Sequence, residues 1–74
     1  MINKVKLNKE RIGLKLYGLI ASSCYTYEQI ADFLELESPR VIYEWTRGTK
    51  LPNHENLYNL AKLLNVQTDD ILAS

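Results

Sequence analysis

The chain has 74 residues, 46 % hydrophobic and 24 % charged, and its nine basic and nine acidic residues give a formal net charge of zero. That length suits one small domain with a self-standing core and leaves little room for a walled catalytic cleft, while the apolar share excludes a disordered chain. The one cysteine, Cys24, excludes an internal disulfide and has no zinc-type spacing around it. The basic opening lacks the apolar run of a signal peptide or membrane span, so the expected compartment is the cytoplasm.

In chain order, a single domain is expected over residues 1–74, with 1–7 reading as a basic arm that includes Lys4 and Lys6. Its lysines fit either phosphate contacts or plain solubilising charge. Asn8 can cap a first helix in which Ile12, Leu16 and Leu19 recur at helical spacing, and Gly13 and Gly18 weaken that helix without ending it. Ser22, Ser23 and Cys24 form the first junction. Thr26 and Gln29 have the spacing of a capping box, so a second helix starts there, with Ile30, Ala31 and Leu34 facing inward. Residues 28–37 carry only acidic charge, at Glu28, Asp32, Glu35 and Glu37.

A third helix is expected over Pro39 to Arg47. Ser38 can cap it, proline suits its first turn, Gly48 permits a left-handed exit, and Pro52 closes the loop that follows. Ile42 and Trp45 lie on one side of this helix, and Trp45 reads as core beside Leu34 and Leu60. The other side presents Arg40, Tyr43, Glu44 and Arg47. Asn53 can cap a fourth helix whose Leu57, Leu60, Ala61 and Leu64 make the cleanest amphipathic pattern in the chain, and Asn65 can end it in a left-handed cap. Thr68 opens a last short helix, with Asp69 and Asp70 favourably placed at its amino end. The expected fold is therefore all-α, with five helices and no strand.

Two short helices joined by a tight turn, the second carrying an exposed mixed face, make a helix-turn-helix. The segments Thr26-Tyr27-Glu28-Gln29-Ile30-Ala31, Ser38-Pro39-Arg40-Val41-Ile42-Tyr43-Glu44-Trp45-Thr46-Arg47-Gly48 and Leu51-Pro52 resemble those of the phage-repressor type of helix-turn-helix domain. The likeness continues through Asn56-Leu57-Tyr58-Asn59-Leu60-Ala61-Lys62-Leu63-Leu64-Asn65-Val66 and Asp69-Asp70-Ile71-Leu72. That family comprises Cro and CI-like (XRE) regulators and many small bacterial and phage proteins. The chain departs from it at Glu35, where many members have glycine, and at Cys24, where glycine commonly ends the first helix. Thr46 replaces an acidic residue often found after the tryptophan. The spacing from Ala31 to Trp45 is one residue longer than in the phage repressors, a length shared by a bacterial branch with Ser-Pro before the third helix.

The resemblance implies a lambda-repressor-like domain that binds double-stranded DNA as a transcriptional regulator, with Pro39, Arg40, Tyr43 and Glu44 reading bases in the major groove. Gln29, Ser38, Arg47, Thr49 and Lys50 then fall where phosphate contacts are made. The guanidinium fork of Arg40 matches guanine, and Glu44 can accept from cytosine or orient Arg40. Arg40 and Glu44 also fit a solvated helix pair, and Tyr43 fits an amphipathic cover equally well. A repressor acting as a homodimer on a near-palindromic operator is expected, with Tyr58, Val66, Ile71 and Leu72 as the mating surface. The alternative is a protein-interaction module of the same fold. His54 reads as an exposed residue at a helix start, and no constellation suggests catalysis, a cofactor or a metal.

Overall fold

A computed structural model describes residues 7–72, which form α1 (Lys9–Ser22), α2 (Tyr27–Phe33), α3 (Arg40–Arg47), α4 (His54–Leu64) and α5 (Thr68–Leu72), with no strand among them. All but Leu7 of the expected basic arm lies outside the described residues.

The helix starts follow from side chains that satisfy free amide groups. The Arg11 amide donates to the Asn8 side chain at 3.1 Å, and the Asn56 amide to the Asn53 side chain at 2.7 Å. At α2 the capping box is reciprocal: the Gln29 amide donates to the Thr26 hydroxyl at 3.0 Å, and the Thr26 amide to the Gln29 side-chain oxygen at 2.9 Å. α3 begins at Arg40, one residue later than expected, because the first full-turn bond runs from the Tyr43 amide to the Pro39 carbonyl. Pro39 is already helical at φ −63°, and Ser38 does the capping, its hydroxyl accepting from the Arg40 amide at 3.2 Å.

Three of the helices end in the same way. After α2, α3 and α4 the chain passes through one left-handed residue, respectively Glu35 (φ 58°), Gly48 (φ 80°) and Asn65 (φ 60°). In each case the next amide reaches five residues back, from Leu36 to Ala31, from Thr49 to Glu44 and from Val66 to Ala61. These are Schellman closures, and they supply partners for carbonyls that a helix end otherwise leaves free. The turn between α2 and α3 is therefore closed at its start by backbone hydrogen bonds despite having no glycine. α1 ends differently, with Ser23 extended and its hydroxyl donating to the Ile20 carbonyl at 2.7 Å, so Cys24 fills no left-handed position.

The core gathers Ile12, Leu16 and Ile20 of α1 with Ile30, Ala31 and Leu34, Ile42 and Trp45, Leu57, Leu60 and Ala61, and Ile71. Leu19 lies at its edge and Ile20 takes the inward place. Trp45 is 3 % exposed, among the companions expected for it. α3 lies against α1, and Gly13 is why it can: a Cβ there would sit 2.6 Å from the Trp45 carbonyl oxygen and 2.8 Å from that of Thr46. Gly48 meets α1 in turn, since a Cβ on it would fall 2.8 Å from the Glu10 Cα. α5 folds back on α1 and α4 and buries Ile71, while Val66 and Leu72 are half-buried against the core. Of the expected mating surface only Tyr58 stands exposed, with the Lys62 ammonium 5.3 Å from its ring centroid.

Candidate nucleic-acid interface

Burying Ile42 and Trp45 turns the opposite side of α3 outward. On that side Ser38, Pro39, Arg40, Tyr43, Glu44 and Arg47 line one open concavity, so six of the residues singled out from the sequence share a surface. Gln29, Thr49 and Lys50 stand outside it, each exposed. The Gln29 bond to Thr26 uses the amide oxygen, so its NH₂ group is the end left for an external acceptor. The Thr49 hydroxyl donates to the Glu44 carbonyl at 3.0 Å, beside the Thr49 amide on the same oxygen at 3.1 Å. Thr49 thus closes the end of α3, and its hydroxyl proton is already engaged.

Glu44 does not pair with Arg40. Its carboxylate lies 3.8 Å from the Lys50 ammonium, the loop after α3 having folded back over the helix end. The Arg40–Glu44 helix pair is therefore not formed in this structure. With the Lys50 side chain 68 % exposed, the pair is a weak, solvent-screened one.

Tyr43 is 49 % exposed, and its ring stacks on Tyr27 of α2 with centroids 4.4 Å apart and planes tilted by 33°. The two rings face a second concavity between α2 and α3, whose lining includes Glu28, Asp32 and Glu37. Sequence reasoning passed over Tyr27. The available signal was an aromatic residue directly after a helix cap, on the first turn of α2.

Four basic residues lie in the two segments that meet where α1 begins and α3 ends. The Gly48 contact with Glu10 sets the first turn of α1, with Lys9, Glu10 and Arg11, against the end of α3, where Arg47 and Lys50 follow Glu44. Lys9 and Gly48 line a common surface depression.

The helix-turn-helix family HTH_3 matches residues 25–71. The chain belongs to this family. It is a helix-turn-helix domain of the XRE, Cro/CI-like kind typical of DNA-binding transcriptional regulators. Among solved structures it is similar to the SOS-response transcriptional repressor LexA from Eubacterium rectale, at 25 % identity and a TM-score of 0.82, over 90 % of this chain and 70 % of that one. It is also similar to the clp gene regulator ClgR from Corynebacterium glutamicum, at 27 % identity and a TM-score of 0.79, with the same coverage of 90 % and 70 %. The P22 c2 repressor in complex with a synthetic operator shares the fold at 23 % identity and a TM-score of 0.76, over 93 % of this chain and 97 % of that one. No curated protein sequence matches the chain. Among the described residues of this helix-turn-helix domain, no group of three or more His, Cys, Asp or Glu side chains is placed to hold a metal ion, and no helix is long and apolar enough to cross a membrane.

Proposed function

We propose that this chain is a cytoplasmic transcriptional repressor, a single domain over residues 1–74 with a basic arm at 1–7, which binds a near-palindromic operator as two copies and blocks access of polymerase. α3 enters the major groove, where Pro39, Arg40, Tyr43 and Glu44 face base edges. Arg40 donates its fork to guanine, Tyr43 packs on a thymine methyl, and Glu44 accepts from cytosine. Gln29, Ser38, Arg47 and Lys50 meet phosphates, and Thr49 joins them from the helix end by turning its hydroxyl outward. Two copies are invoked because one such module offers a small interface.

The observation that carries this reading is the shared concavity on the outer side of α3, with Arg40 and Arg47 exposed along it. A second reading, a protein-interaction module, draws on Glu28, Asp32 and Glu37 in the neighbouring concavity, carboxylates that repel phosphate and suit a basic protein surface. Selection of bound fragments from a random duplex library separates the two. The repressor reading expects an enriched motif of two inverted half-sites about 10 base pairs apart. A library that emerges unenriched favours the protein partner.

A further inference from the structure

We infer that Tyr27 is a positioning residue for sequence reading: by stacking on Tyr43 it fixes the pose of that ring and, with it, the angle at which α3 meets the groove. The inference rests on the proposed base-reading role of Tyr43.

An exposed tyrosine on a helix ordinarily samples more than one rotamer, and a ring that must meet one base edge loses affinity to that freedom. Tyr43 is half exposed, yet one face of its ring is occupied by Tyr27 at 4.4 Å. Tyr27 is itself well held. It is the first residue of α2, its backbone follows directly on the reciprocal Thr26–Gln29 capping box, and its side chain packs against the core. The support therefore runs from the core through Tyr27 to the outer side of α3.

The location of the pair gives it a second effect. α2 and α3 are joined through the Glu35 turn, where the Leu36 amide bonds to the Ala31 carbonyl at 2.9 Å. The amino end of α2 is the far end from that turn, and it is here that Tyr27 touches the middle of α3. The turn and the ring pair thus hold the two helices at separate points, so the angle between them is set twice. With a turn that uses glutamate at its left-handed position, the aromatic contact supplies a constraint that the turn alone does not.

The test uses the whole chain, the duplex enriched from the random library and a scrambled duplex, with Tyr27→Leu, Tyr27→Phe, Tyr43→Ala and the Tyr27→Leu/Tyr43→Ala double variant. Leucine keeps an apolar side chain and removes the aromatic face; phenylalanine keeps the ring. Tyr27→Leu is expected to weaken binding to the enriched duplex by about 3- to 10-fold, the range of an aromatic pair, with scrambled-duplex binding unchanged and Tyr27→Phe within about 2-fold of the parent. In the Tyr43→Ala background the Tyr27→Leu effect should vanish. In the free protein, Tyr27→Leu should also remove the ring-current displacement of the Tyr43 proton resonances. Equal losses on both duplexes, or a loss that persists without Tyr43, would show Tyr27 to be structural only. A costly Tyr43→Ala beside a silent Tyr27→Leu overturns the inference and leaves base reading by Tyr43 intact. A silent Tyr43→Ala overturns both.

Discussion

Two glycines in one helix have opposite reasons for being there. Gly13 lies where α1 touches the backbone of α3, and a methyl group at 2.6 Å from a carbonyl oxygen forces the helices apart. Such overpacking costs about 1–3 kcal/mol, which the better helix propensity of alanine offsets by at most about 1. Gly13→Ala is therefore expected to destabilise the fold by about 1–2 kcal/mol. Gly18 has no heavy atom within 4 Å of where its Cβ would stand, so Gly18→Ala should stabilise by about 0.5–1 kcal/mol. Urea titration of the two variants reads both signs, and a stabilised Gly13→Ala would mean that α1 and α3 are less closely packed than described. Arg40 is tested by function. On the proposed reading, Arg40→Ala weakens the preferred duplex by about 1–3 kcal/mol and a random duplex less, as measured by gel shift. Because Glu44 pairs with Lys50, removing Arg40 leaves no newly orphaned carboxylate, so the Glu44→Ala background should show the same difference.

Helix ends account for most of what could be read in advance. Asn8, the Thr26–Gln29 pair, Asn53, Gly48 and Asn65 all act within a few residues of themselves, and their chemistry is visible in local sequence. The five helices and the inward side of α3 follow from that and from apolar spacing. What the sequence does not carry is contact between elements: the Gly13 approach to α3, the Tyr27–Tyr43 stack and the fold-back of Lys50 onto Glu44 each depend on how segments meet in space. For the same reason the outer residues of α3 were legible as a group, while the partner of each was not. The departure at residue 35 shows the limit from the other side. Glutamate occupies a conformation in which a side chain costs about 1–2 kcal/mol and glycine only its extra flexibility, so Glu35→Gly is expected to raise stability by about 0.5–1 kcal/mol. A shifted denaturation midpoint with an unchanged slope is the expected result; a loss of stability would show that the exposed Glu35 side chain contributes contacts that outweigh its strain.

At the scale of the whole molecule, zero net charge is unevenly spread, between a carboxylate-lined concavity beside α2 and a junction where α1 begins and α3 ends, which carries Lys9, Arg11, Arg47 and Lys50 with Glu10 and Glu44. Phosphate affinity depends on the second, through the number of counterions displaced. On the proposed reading, Arg47→Ala and Lys50→Ala each weaken preferred and random duplexes by similar factors and lower the salt slope by about one counterion. Lys50 starts from a pair with Glu44, so Glu44→Ala should raise affinity for the random duplex at low salt, while the preferred duplex also loses the contact of Glu44 to cytosine. Binding isotherms over a range of salt concentrations check this, and unchanged slopes would return both residues to solvated charge. The way α3 is secured has a consequence for how such a protein changes over time. Apart from the Tyr27–Tyr43 contact, what anchors the helix, namely Ile42, Trp45, the glycine contacts and the Schellman closure, lies on its inner side or at its end. Positions 40, 44 and 47 take no part in that anchoring through their side chains, so they are open to substitution without repacking, and a lineage of such chains can exchange one target for another while inheriting the same scaffold.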